Sequence, residues 1–514
     1  MFIPVDRDQT FLMPVGFHEL LGEDHLVWTV LDVVGQLDLG ALYERYGDHD
    51  EGGRPAYDPS MMVALLFYAY AEGLRSSRAI EQACRESWPY RAITANLEPD
   101  HATIARFRAA MDDVLRGVFA QVLAVCVAMG MGRIGLIAVD GTKIAANASR
   151  KANAGASRLE ALEAQARRLL EEAAAADATE GPETKVSPAR RAAEQSRRLE
   201  RVQAAKAKVD AQLAERRAAG EARAEAEAGA GRRLRGRPPK DGPPPKPVAN
   251  TTDPDSAVMK AQHAFLQGYN AQAVVDEDQL VLAAEVATDA NDKRQLAPML
   301  EAVHSNLEAA GVTARPAVAL ADAGYFSSAN AGLDCGPELL IATGKHATLG
   351  AATAKQLQRD AVIRSAEAGE LTTAEAAQLI GVSESHMRLL RRLARDGALV
   401  TAPMLARRAM RDKLAEPANK ALYNKRGWMI EGVFGEAKEG RNCRRFMRRG
   451  MAACDAEWKL IHIAGNIRKA WRKQKASGRP DSPSSPEGPG GGLNAARWSL
   501  RGRFCRQHHR AHHA

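Results

Sequence analysis

Ile134-Gly-Leu-Ile-Ala-Val-Asp140 is a short apolar run closed by a carboxylate, and Ala317-Val-Ala-Leu-Ala-Asp322 repeats the form much further along the chain. Each run has the length and composition of a buried central strand. Gly141-Thr-Lys-Ile-Ala then reads as leading the chain away from the first strand's end. Between the two runs, strand-like alternation covers residues 265–275 and 279–288, followed by a helix from about 291 to 310. Glu338-Leu-Leu-Ile-Ala-Thr is a further short strand. The order is three strands, a helix and two strands, with an aspartate ending the first and the fourth.

Outward from this centre the chain changes character. Residues 1–130 read as an all-α domain. Pro59 opens a segment apolar on most faces, a helix covers Ser77–Glu86, and another begins near His101 and carries Arg106 and Arg108. Basic residues near helix starts suit DNA-groove contact, and a plain bundle with a solvated basic face suits them equally. Residues 131–155 and 249–351 hold the two parts of the strand-bearing domain. Between them, residues 156–229 are rich in Ala, Glu and Arg at helical spacing, which predicts two long antiparallel helices or a partly disordered arm. A basic Pro/Gly-rich linker completes that insertion at 248. In it, Arg235-Gly-Arg-Pro-Pro-Lys240 is similar to a minor-groove-binding hook.

A second insertion spans 352–405. In it, Thr372 and Glu375 make a capping box, Gly381 a turn and Ser383 a second cap, the pattern of a helix-turn-helix, with Arg388, Arg391 and Arg392 on its second helix. Two packed helices without a DNA role would read the same way. Residues 406–473 read as helical, and the Pro/Gly/Ser-rich tail of 474–514, with its histidines, as disordered.

Of the 514 residues, 45% are hydrophobic and 26% charged, with a net charge of +8. A globular protein with polyanionic partners fits this balance, although charge alone does not separate it from an ordinary basic protein. The six cysteines form no CxxC pair, which argues against a zinc site or disulfide framework. MFIPVDRDQTF is not a signal peptide, and no run reaches the roughly 20 apolar residues of a spanning helix. A cytoplasmic protein with no membrane partner is expected.

Two aspartates at the ends of neighbouring parallel strands would meet in space despite their separation in sequence. Paired divalent cations, which run phosphodiester hydrolysis and transfer, need such converging oxygen donors. A third donor is sought in Tyr423-Asn-Lys-Arg426-Gly-Trp-Met-Ile-Glu431-Gly-Val-Phe-Gly-Glu436-Ala-Lys438. If this segment is one helix, Glu431 and Lys438 share a face, and Lys438 and Arg426 reach phosphates beside the acids. Glu436 is the competing carboxylate. An amphipathic helix with surface charges is the plainer reading.

This segment resembles the Y-x2-R-x3-E-x6-K signature of insertion-sequence DDE transposases, with Tyr423, Arg426, Glu431 and Lys438 in its places. Four residues, where the usual pattern has three, separate Arg426 from Glu431. The Glu-x-x-Phe-Gly-x-x-Lys form is similar to the branch numbered eleven-eighty-two. Val139-Asp140-Gly-Thr-Lys-Ile, Asn250–Ser256 with Gln267–Gln272, Ala321–Ser327, and Arg449-Gly450 with Glu457-Trp458 and Asn466 resemble further blocks of that family. Tyr57-x-Pro59 and Thr103-x-x-x-Phe-Arg108 are similar to its leading helical domain. The resemblance covers residues 1–155, 249–345 and 406–473.

It implies a ribonuclease H-like α/β catalytic domain with helical insertions behind an all-α DNA-binding domain. It further implies catalytic, metal-binding Asp140, Asp322 and Glu431, with Mg²⁺ or Mn²⁺ as cofactor. DNA would be contacted by Tyr423, Arg426, Lys438, Arg106 and Arg108. The implied partners are terminal inverted repeats, target DNA and further copies of the chain. A non-catalytic DNA-binding protein explains the charge but not the acids. A metal-dependent nuclease shares the acids without strand transfer, and a structural coiled coil accounts for 156–229 alone.

Overall fold

The strand-bearing segments assemble one mixed sheet, seen in a computed structural model that describes residues 16–47, 56–177, 188–229, 246–261, 264–344, 358–359, 361–395 and 402–477. The hook at 235–240 and the histidine-rich tail lie outside the described residues. Strand β1 (Leu136–Ala145) is central. A two-residue strand β2 (Asn153–Ala154) pairs with β3 (Ala249–Asn250) in a separate ribbon. Strands β4 (Ala257–Lys260) and β6 (Val281–Ala287) both pair antiparallel with β5 (Phe265–Asp276), which runs antiparallel to β1. On the other side, β7 (Val318–Ala321) lies parallel to β1 and β8 (Glu338–Ile341) parallel to β7.

The first strand does not end at Asp140, as the sequence implied. It continues to Ala145 because β5 pairs with it over the whole length, from Ile137↔Asp276 to Ala145↔Gly268. Strand β7 pairs only with Leu136 to Val139. Asp140 is therefore the first residue of β1 past the end of β7, while Asp322 directly follows β7.

Eight helices lie before the sheet among the described residues: α1 (Phe17–Leu21), α2 (Leu26–Val34), α3 (Gly40–Gly47), α4 (Pro59–Ala71), α5 (Ser77–Glu86), α6 (Trp88–Thr94), α7 (His101–Ala110) and α8 (Leu115–Ala128). Asp58 caps α4 by accepting from the Met61 amide at 3.0 Å, and Pro59 supplies a preset φ at its start. Apolar around its whole circumference, α4 is buried from Met62 to Ala71 and forms the axis of the bundle. One continuous hydrophobic core joins these helices to the sheet.

The first insertion is a pair of packed helices, α9 (Ala156–Asp177) and α10 (Pro188–Gly229), with its own small core of Leu159, Val202, Ala205 and Val209. Lys208 of α10 donates to the carbonyls of Pro254, Asp255 and Ser256 at 2.7, 3.0 and 3.2 Å, tying the pair to the loop before β4. After β6 come α11 (Leu296–Ala309) and, past β7, the short α12 (Ser328–Ala331). The second insertion holds α13 (Thr373–Ile380) and α14 (Glu384–Arg395).

The stretch read as one helical run from residue 416 is broken. It contains α15 (Ala402–Ala415), α16 (Pro417–Asn424), α17 (Arg426–Gly435), a π-helical turn at Glu436–Gly440, an irregular passage and α18 (Met451–Ser477). Helix α18 packs on the sheet: Trp458 Nε1 donates to the Gln272 carbonyl at 2.8 Å, and the Asn466 side chain pairs with the Val281 backbone at 3.0 and 2.9 Å. Residues 1–472 form one unit; a second comprises 473–514, of which only 473–477 are described. No helix among the described residues is long and apolar enough to cross a membrane.

Candidate active site

The β1 backbone turns the Asp140 side chain toward α17. There its Oδ2 meets Arg426 Nη2 at 2.7 Å, and its Oδ1 accepts from the Gly141 amide at 2.8 Å. Burial pushes the Asp140 carboxyl up to about 6, with the charges of Asp322 and Asp292 adding to the rise and Arg426 opposing it. Asp322 caps the short turn that follows β7, accepting from the Gly324 amide at 2.8 Å. The parallel pairing of β1 and β7 thus brings together the two acids that sequence placed far apart.

Asp292 is the acid that sequence reading missed. It sits in the short turn before α11, and its Oδ1 accepts from Asn270 Nδ2 at 2.7 Å, Gln272 Nε2 at 3.0 Å and Lys143 Nζ at 3.2 Å. Successive strand residues face opposite ways, so Gly141 faces this network while Asp140 faces α17. A Cβ at Gly141 would run into the Gln272 amide and stand 2.9 Å from Asp292 Oδ1. A Cβ at Gly324 would lie 2.9 Å from Asp322 Oδ1 and 3.2 Å from Asp292 Oδ2. Gly141, next to Asp140, and Gly324, two residues past Asp322, therefore make room for the third acid. The Tyr325 hydroxyl donates to Gln272 Oε1. Burial, and then the charges of Asp292, Asp140 and Asp322, hold that hydroxyl well above its usual range.

The four signature residues divide. The Tyr423 hydroxyl donates to the Ala321 carbonyl at 3.3 Å, beside Asp322. Arg426 points inward to Asp140 with only 13% of its side chain exposed. Lys438 is half-buried; burial lowers its ammonium and Asp140 is among the charges that act on it. Glu431 is exposed and lies five residues beyond Arg426, roughly 140° around an ideal helix of 3.6 residues per turn. The π turn at 436–440 widens the helix before Lys438, so the simple seven-residue alignment of Glu431 and Lys438 does not hold. The competing acid, Glu436, is engaged elsewhere, with Arg472 at 2.6 Å and Arg441 at 3.3 Å. Among the described residues no trio of Asp, Glu, His or Cys is set to hold a metal ion.

In the leading helices, Arg106 is exposed and donates to its neighbour Thr103 at 3.1 Å. Arg108 is turned inward to the Arg75 carbonyl at 2.8 Å and the Tyr70 hydroxyl at 3.2 Å. Arg75 is itself buried, pairing with Glu457 of α18 at 2.6 Å.

Comparison with known families adds two matches. Residues 16–110, which carry α1 to α7, match the family described as Transposase domain (DUF772). Residues 397–471, which include Tyr423, Arg426, Glu431 and Lys438, match the family described as Transposase DDE domain. No curated protein and no solved structure matches the chain. With a transposase domain leading and a DDE domain closing one chain, this protein is a DNA transposase of the DDE type.

Proposed function

We propose that the enzyme cleaves the ends of an insertion sequence and joins them to target DNA, using Asp140, Asp322 and Glu431 as its catalytic carboxylates. The observation that carries this reading is the meeting of Asp140, the first residue of β1 past the end of β7, with Asp322, directly after β7, beside the largely buried guanidinium of Arg426. The strand order β6-β5-β1-β7-β8, three antiparallel and two parallel, fits a ribonuclease H-like domain. We assign the chain to the eleven-eighty-two branch of insertion-sequence transposases on the Glu431-x-x-Phe434-Gly-x-x-Lys438 form of its sequence.

The donors suit a hard divalent cation, Mg²⁺ or Mn²⁺, in kind: they are carboxylates, and Asp140 already holds a cationic group as a stand-in. Asp140, Asp322 and Glu431 would hold the ion, which supplies an activated oxygen nucleophile and stabilises the leaving oxygen. The chain's other groups prepare the site. Arg426 favours the ionised form of Asp140 against its burial. Asp292 positions the turn after Asp322 through Gln272 and Tyr325. Lys438 and the exposed Arg106 provide DNA contacts, whereas Arg426 and Arg108, expected in that role, are turned inward onto Asp140 and the Arg75 carbonyl, and the Tyr423 hydroxyl holds the Ala321 carbonyl. The terminal repeats and the target are the substrates, met in the cytoplasm by more than one copy of the chain.

The test is a cleavage and joining assay on duplexes carrying the element's ends, with Mg²⁺. Asp140→Asn, Asp322→Asn and Glu431→Gln are each expected to abolish cleavage and leave DNA binding intact, because binding rests on basic groups. Near wild-type cleavage by Glu431→Gln would remove Glu431 from the set. Cleavage by the native protein with no joining of a 3′-hydroxyl end would make it a nuclease.

A further inference from the structure

Residues 361–395 form a small three-helix body with a core of its own. A helical stretch at 361–367 packs with α13 and α14 around Ile363, Ala366, Ala376, Ala377, Met387 and Leu390. Both ends of α13 and the start of α14 are capped. The Thr372 side chain accepts from the Glu375 amide at 3.2 Å while the Glu375 carboxylate accepts from the Thr372 amide at 2.8 Å. Gly381 ends α13 in the left-handed region at φ 68°, and Ser383 accepts from the His386 amide at 3.2 Å at the start of α14. Two helices joined by a three-residue turn containing glycine make a helix-turn-helix.

The two sides of α14 differ. Met387 and Leu390 are buried, and Arg391 turns back to Thr373 at 2.8 Å. Ser385, Arg388, Leu389 and Arg392 follow the i, i+3, i+4, i+7 spacing of the opposite face, and all four are exposed. Arg388 is braced by Glu384 at 3.2 Å across solvent, a pairing worth little that a phosphate can replace. The face thus offers two guanidiniums flanking a hydroxyl and an apolar side chain, near the N-terminal half of a second helix. This is the chemistry by which such a helix enters a major groove.

We infer that α14 is a second DNA-reading helix, separate from the leading domain, and that its Ser385/Arg388/Leu389/Arg392 face docks on duplex DNA. The inference shares with the transposase reading only the need for the chain to bind DNA. The test uses the full-length protein and a fluorescein-labelled duplex of the element's end, with anisotropy titrations across a salt series. The double substitution Arg388→Ala, Arg392→Ala is expected to weaken binding and reduce the slope of log affinity against log salt by about two, near one per lost phosphate contact. Arg388→Lys with Arg392→Lys is expected to keep the slope. Unchanged affinity and slope in the alanine variant would overturn the inference and leave the face to a protein partner. A lysine variant as impaired as the alanine one would also overturn it, since packing rather than charge would then be at work. Native protein that fails to bind the duplex would sink the proposed function along with it; native binding that the alanine substitutions leave unchanged sinks this inference alone.

Discussion

At Asp140 a single carboxylate carries opposing demands. Burial and two neighbouring acids resist its ionisation, and Arg426, helped by the Gly141 amide, pulls the other way. Lys438, inside the π turn, also lies within reach of that charge. An ammonium has no lone pair for a metal, so the part proposed for it is with phosphate. Lys438→Ala is expected to lower the salt slope of DNA binding by about one without changing metal affinity, measured by anisotropy and by calorimetric Mg²⁺ titration. In the sequence a strand end marks Asp322 and a spaced motif Arg426, while Asp140 was singled out by an apparent strand end that pairing with β5 carries on to Ala145. Asp292 was not: its place depends on side chains from β1 and β5, and no local pattern records that convergence.

Elements explain the rest of what was and was not legible. The five main strands were readable from alternation and length. The extension of β1 past Asp140 was not, because Gly141-Thr-Lys looks like a departure and only pairing with β5 carries it on. The π turn likewise has no signature in a sequence whose spacing reads as regular helix. The turn between β5 and β6 offers a quantitative test. Asp276 Oδ1 accepts from the Asp278 and Leu280 amides at 2.9 and 2.8 Å, while its Oδ2 is buried without a partner. Burial pushes this carboxyl up to about 6. A folded-state value above the unfolded one means that the folded chain holds the proton longer, so stability falls as pH rises from about 4 to 6 and stays lower above. Asp276→Asn keeps the accepting oxygen and removes the charge. It is expected to leave stability unchanged near pH 3 and to raise it by roughly 2–3 kcal/mol at pH 7, read by denaturant unfolding at both values.

On the scale of the whole molecule, the leading helices and the closing helix are locked together. Arg75 and Glu457 are almost fully buried and 382 positions apart. Glu457 also accepts from the Met447 and Arg448 amides, and Arg448 grips Asp112 through two contacts of 2.6 Å. Gly73 lies against this seam with φ 77°, where a Cβ would stand 2.8 Å from the Gly440 carbonyl. Glu457→Ala leaves a buried guanidinium unpaired and is expected to cost about 3–5 kcal/mol, measured as a lower unfolding midpoint of the full chain. No sequence pattern announced this pair, because a contact at such separation leaves no periodic trace.

The seam also sets a clock. During synthesis Arg75 leaves the ribosome long before Glu457 exists, and at about 5–20 residues per second the wait is roughly 20–80 s. Through that interval the leading helices can fold on themselves, but the α17 segment that brings Arg426 to Asp140 has yet to be made or docked. A message cut short, or a chain released early, would yield the leading helices without the closing ones that bring Arg426 to Asp140.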